Sequence, residues 1–122
     1  MNKNYTENIV TIFYFEFNGR ALISKAILHY LKIPFKSVKF TQDQWQNEML
    51  SGKYEFNQLP ALEMNNKIYV QSIAIEVLLA KKYNLMGDNF EDEWSISSIL
   101  CSKNDLITHL RPFVRPDTTI TD

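Results

Sequence analysis

The stretch FNQLPALEMNNKIYVQSIAI, from Phe56 to Ile75, holds the signals that decide the fold. "LPALEM" and "KIYV" are short runs rich in strand-favouring residues. They are separated by Asn65-Asn66, a pair that tolerates the positive φ of a tight hairpin turn. From Ser72 onward, "SIAIEVLLAKKYNL" carries the composition of a helix, with Ser72 placed as its N-cap. The stretch therefore predicts a ββα unit.

Toward the N-terminus, "IVTIFYF" (Ile9 to Phe15) is β-branched and aromatic and predicts a buried strand. Asn18, Gly19 and Arg20 punctuate it. "ALISKAILHYLK" follows, with Ala21, Leu22, Ala26, Leu28 and Leu31 at helical spacing, and Ile33-Pro34 is expected to stop that helix. "FKSVKF" (Phe35 to Phe40) alternates like a half-buried strand. This is a βαβ unit, with parallel strands and a right-handed crossover. Thr41 to Tyr54 is polar and predicts a short helix and loop, with Trp45 standing alone in it. The order βαβ then ββα is that of an α/β thioredoxin-like fold with a mixed four-stranded sheet, assigned to residues 1–83.

Residues 84–122 form the second assigned segment: the linker "NLMGDN", then a helix from about Glu91 to Leu110. Trp94, Ile96, Ile99, Leu100, Leu106, Ile107 and Leu110 are read as one apolar stripe interrupted at Lys103. "RPFVRPDTTITD" is read as an end without further structure.

A chain of 122 residues with 45% hydrophobic content suits one packed domain with at most a helical appendage. The net charge of −1 and scattered basic residues argue against nucleic acid or an anionic membrane as the main partner. Cys101, the single cysteine, rules out an internal disulfide framework and any Cys-x-x-Cys redox or zinc site, and no metal is expected. "MNKNYTENIV" has the character of neither a signal nor a transit peptide, and the apolar run Ile73–Ala80 contains Glu76 and is too short to span a bilayer. The expected location is cytoplasmic.

Several residues admit a chemical and a purely structural reading. Leu59-Pro60 either leaves the Leu59 backbone N–H and C=O to an extended ligand, or is an ordinary edge-strand proline. Gln71-Ser72 lies at a helix N-terminus, where free N–H groups and the dipole favour an anion; Ser72 equally serves as a simple cap. Tyr14 lies near the end of the first strand, the edge where α/β sheets collect ligands, or else belongs to an aromatic core run with Phe13, Phe15 and Phe17. Arg20 reads as a surface helix residue and Trp45 as an isolated hydrophobic plug.

Together, "FYFEFNGRALISKAILHYLKIPF", Trp45, "NQLPALEMNNKIYVQSIAI" and "KKYNLMGD" resemble the N-terminal half of a glutathione S-transferase. The likeness is greatest to the sigma class, which includes glutathione-dependent prostaglandin D synthases. The resemblance implies that Tyr14 is the thiol-activating hydroxyl and that Arg20 orients the start of the first helix. It implies that Trp45 holds the glycyl end of glutathione through its indole N–H. Gln58 belongs to the Gln-x-Pro motif; Leu59 pairs its backbone with the cysteinyl residue ahead of a cis Pro60. Gln71 and Ser72 hold the γ-glutamyl carboxylate. The spacing from Trp45 to Pro60 is read as about two residues longer than the family pattern. The lysine that contacts the glycyl carboxylate is out of register, Lys53 being the nearest candidate. His109 stands where the family often has an acidic residue reaching across a dimer.

The expected activity is addition of the glutathione thiolate to an electrophilic small molecule. The alternative is a non-catalytic structural or binding subunit of a larger assembly. A dithiol oxidoreductase is a poor third reading, because "EFNGR" has no cysteine where that chemistry needs one. The family's C-terminal domain adds several helices beyond those in this sequence, so weak activity is expected, and another protein, either a second copy or a larger partner, is expected to cover Trp94 to Leu110.

Overall fold

A computed structural model describes residues 9–114. The elements are β1 (Val10–Phe15), a 3-10 turn (Gly19–Ala21), α1 (Leu22–Tyr30), β2 (Phe35–Phe40) and α2 (Gln42–Met49). A second 3-10 turn (Glu55–Asn57) leads to β3 (Ala61–Met64), β4 (Lys67–Val70), α3 (Ser72–Lys82) and α4 (Phe90–Val114). The chain divides between Leu85 and Met86 into two compact units.

In the first unit the strand order is β2-β1-β3-β4, with β1 and β2 parallel and β3 antiparallel to both its neighbours. This is the expected thioredoxin-like βαβ-ββα sheet. The pleat sends alternate β1 side chains to opposite faces. Val10, Ile12 and Tyr14 enter a core with Ala21 and Leu28 from the first helical segment and Ile75 and Leu79 from α3. Phe13 enters a second core with Trp45, Tyr54 and Ala61.

Local chemistry explains the element ends. Asn65 and Asn66 both have positive φ, 53° and 60°, so the hairpin turn forms as its sequence predicts. Thr41 caps α2 in a reciprocal box: its hydroxyl accepts the Gln44 N–H at 3.2 Å, while the Gln44 amide oxygen accepts the Thr41 N–H at 2.9 Å. Helix α1 ends earlier than the proline rule predicts. Lys32 takes φ 57°, its N–H donates to the His29 carbonyl, and the Ile33 N–H donates to the Leu28 carbonyl. That is a Schellman stop, complete before Pro34. Helix α3 ends the same way, with Asn84 at φ 58° and the Leu85 N–H donating to the Ala80 carbonyl at 2.7 Å.

Five readings need correction. Ser72 is the first helical residue, not the cap; Gln71 occupies the cap position with φ 73°, and its side chain makes no capping bond. Pro60 precedes an interior strand, because the sheet edges are β2 and β4. Trp45 is not alone: its ring lies 5.9 Å from Phe40 and 5.0 Å from Tyr54. The last helix runs through Pro112 to Val114, so the start of "RPFVRPDTTITD" is helical; residues 115–122, like the N-terminal "MNKNYTEN", lie outside the described residues. On a helix with 3.6 residues per turn, Trp94 projects opposite to the stripe of Ile96, Ile99, Leu106 and Leu110. In α4 itself, the Asn89 side chain accepts the Asp92 N–H at 3.0 Å, an ordinary N-cap.

A lysine at the left-handed Schellman position carries a steric cost that glycine lacks. Lys32→Gly is expected to raise unfolding free energy by about 0.5–1 kcal/mol. In urea denaturation the midpoint should rise at unchanged slope.

Candidate functional site

The sheet register brings four separate segments to one edge. The parallel pairing Val10↔Phe35 through Phe15↔Phe40 ends β1 and β2 together. Because β3 is antiparallel, its start lies at that same end, with Ala61 opposite Phe13 on one side and Val70 on the other. The residues after β1, after β2, before β3 and after β4 therefore meet. Those segments contain Tyr14 to Arg20, Trp45 to Lys53, Gln58 to Pro60, and Gln71-Ser72.

Tyr14 is buried except for 6% of its surface. Its hydroxyl oxygen accepts the backbone N–H of Arg20 at 3.1 Å, which seats the phenol at the start of the first helical segment. The chain makes room through Gly19, at φ 39°. A Cβ there would lie 2.6 Å from the Tyr14 hydroxyl and 2.8 Å from the Phe17 ring. The Tyr14 ring packs against Phe15 and Phe17, each at 5.4 Å between centroids. A phenol that accepts an N–H is polarised toward donating its own proton, and the positive helix end reinforces this.

On the other side of the edge, the Gln71 side-chain N–H donates to the Gln58 side-chain oxygen at 3.2 Å. This bond joins the Gln-x-Pro loop to the start of α3. The Leu59–Pro60 peptide is cis. Leu59 is half-buried, Pro60 is buried and Ser72 is 6% exposed.

Trp45 and Lys53 are placed differently. Trp45 is 7% exposed, and its ring is built into the second core. The Lys53 ammonium lies 3.8 Å from the Glu63 carboxylate, 4.5 Å from the centre of the Phe13 ring and 5.7 Å from that of Tyr54. Phe13 and Glu63 point to the face carrying α2, so the lysine lies along that face instead of reaching out from the strand ends. Tyr54 donates its hydroxyl to Glu48 at 3.0 Å. Burial first, then this bond and the charges of Glu48 and Glu63, push its phenol well above the usual tyrosine range. It stays a protonated donor at any physiological pH.

Sequence reading named Gly19 only as punctuation and Phe17 only as part of an aromatic run, and it missed Glu63. Gly19 carried a signal: a glycine one turn after an aromatic strand end is the residue that admits a ring. The spacing of the Lys53–Glu63 pair corresponds to no local motif. Among the described residues, no three metal-binding side chains cluster and no helix is long and apolar enough to cross a membrane.

The strand order and the helices packed on it define a thioredoxin-like domain. The relatives narrow this further. The chain is 30% identical over 95 residues to a putative glutathione S-transferase alpha-2 of Dictyostelium discoideum, covering 78% of this chain and 46% of that protein. A nematode-specific glutathione S-transferase from Caenorhabditis elegans superposes with TM-score 0.77 at 28% identity, over 87% of this chain and 51% of the other. A sigma-class enzyme from Fasciola hepatica superposes at 0.75 with 26% identity, over 86% and 51%. No family model matches the chain. Its relatives and structural neighbours are glutathione S-transferases, and its fold is that of their N-terminal domain. The chain spans about half the length of the relatives it matches.

Gly19→Ala would force either the Tyr14 hydroxyl or the Phe17 ring aside at a φ that side chains avoid. A loss of about 1–3 kcal/mol in unfolding free energy is expected. Urea unfolding monitored by tyrosine and tryptophan fluorescence measures it.

Proposed function

We propose that the chain binds glutathione along this sheet edge and activates its thiol for addition to an electrophilic small molecule. The observation that carries the reading is the convergence of Tyr14, Leu59-Pro60, the Gln58–Gln71 bond and Ser72 at one edge of a glutathione-transferase-type sheet. In this reading Tyr14 donates to the cysteinyl sulfur, and Arg20 supports it through its backbone N–H. The Leu59 backbone pairs with the cysteinyl residue. Gln71 and Ser72 hold the γ-glutamyl carboxylate at the N-terminus of α3, and Gln58 braces Gln71. Trp45 and Lys53 serve the glycyl end.

The chemical step forms a bond between the sulfur and the electrophilic carbon. The electron pair of the broken π bond or departing group leaves that carbon, and the thiol proton goes to solvent. With a free thiol pKa of about 8.5, only ~3% is thiolate at pH 7. A shift of ~2 units downward would ionise most of it, but the sulfur becomes less nucleophilic as it becomes more acidic, so the net gain is a few-fold. Larger acceleration depends on how the electrophile is held against the sulfur.

The Gly-Arg, Gln-x-Pro and Gln-Ser motifs support a sigma-class-like assignment within the family. Apolar side chains exposed along α4, including Ile99 at 66% and Leu106 at 57%, support a second copy or another protein over that helix. Light scattering on the 122-residue chain is expected to show a species larger than the 14.3 kDa monomer.

Ser72→Ala is expected to weaken glutathione binding by about 1–3 kcal/mol, the worth of a hydrogen bond to a charged group. Calorimetric titration decides this, and unchanged affinity would leave Ser72 a structural residue. Tyr14→Phe is expected to leave affinity nearly intact and raise the pKa of the bound thiol. Ultraviolet thiolate absorbance against pH tests it; coincident curves would exclude Tyr14 as the activating group.

A further inference from the structure

The geometry points to Glu63 as a built-in competitor that holds Lys53 away from the carboxylate of the bound peptide and thereby sets ligand affinity. The inference rests on the glutathione-binding reading and adds to it a residue outside the ligand edge.

Lys53 and Glu63 face each other at 3.8 Å, both side chains partly open to solvent at 37% and 35%. Glu63 sits on β3 between Thr11 and Ile68, two residues farther into the sheet than Ala61. Its carboxylate therefore draws the lysine inward from the strand ends. The rings of Phe13 and Tyr54 add cation–π contacts that hold the ammonium in the same place. A carboxylate arriving at the Trp45 side of the edge must compete with Glu63 for that single ammonium. Exposed ion pairs are weak. The competition is thus reversible, and it tunes affinity instead of blocking the site.

The test uses the full 122-residue chain, with reduced glutathione and its glycyl monoethyl ester as probes, each titrated calorimetrically. Glu63→Gln frees the lysine and is expected to tighten glutathione about two- to fivefold. The ester lacks the competing carboxylate, so its affinity should change by less than about 1.5-fold on the same scale. In a Lys53→Met background the gain from Glu63→Gln should vanish, because the residue competed for is gone. Glu63→Thr, which keeps a strand-favouring residue, repeats the measurement if the glutamine variant folds poorly. If the ester gains as much as glutathione, or the gain survives in Lys53→Met, Glu63 acts only through general charge and the inference falls while glutathione binding stands. If affinity is unchanged in both glutamate variants, the competition does not exist. If wild-type protein binds no glutathione, the functional reading fails and the inference with it.

Discussion

The antiparallel placement of β3 beside β1 is the constraint on which the candidate site depends. Two parallel strands alone bring only two loops to one end. Running β3 the other way turns its beginning toward that end, and the two-residue hairpin returns β4 to it. Gln58 and Gln71, thirteen positions apart, come within 3.2 Å as a result. A slip of one residue in this register would reverse every side chain of β3, sending Ala61 and Glu63 into the α1/α3 core and expelling Leu62 and Met64. Leu62 is fully buried and Met64 nearly so, so apolar burial resists the slip.

The same edge is tuned by small residues at close quarters. Tyr14 lies in a strand, yet its hydroxyl reaches the first turn of the following helical segment because Gly19 leaves room for the ring. Phe15 and Phe17 stack with centroids 6.2 Å apart and flank the phenol, limiting its rotation. The hydroxyl is therefore held in one place by its packing and by the Arg20 N–H.

Much of this was legible from residue pattern. Strand identities, the Asn65-Asn66 turn, the parallel βαβ unit and the start of α3 all follow from local preferences that the tertiary structure does not override. The failures have two causes: partners distant in sequence, and local backbone conformations that residue preference does not reveal. Trp45 reads as isolated in a polar run because Phe40, Tyr54 and Phe13 reach it only through the folded sheet. Ser72 reads as a cap because serine favours that position, whereas the β4–α3 junction places Gln71 there at an unusual φ. Pro60 reads as an edge residue because proline cannot donate to a ladder, but a proline immediately before the first strand residue escapes that penalty even in an interior strand. Ile33-Pro34 reads as the stop of α1, although Lys32 adopts the left-handed conformation that ends the helix first.

The segment between α2 and β3 shows how a costly backbone delivers a site. Phe56 and Asn57 both take positive φ, 64° and 50°, and Phe56 is a bulky residue that rarely does so. Neither side chain is buried, so neither stabilises its own conformation. The compensation lies two residues before Phe56. Tyr54 is 2% exposed, packs edge-on against Phe13 and Trp45, and donates its hydroxyl to Glu48 in α2. Burying an aromatic ring contributes about 1.5–3 kcal/mol, comparable with the strain of one or two such residues. Since burial keeps the phenol protonated, its hydroxyl remains a donor to Glu48. Tyr54 thus anchors the loop to α2 on one side and the sheet on the other. The chain that leaves this anchor has only three residues before Gln58, so the position of the Gln-x-Pro segment is dictated by the second core beneath it.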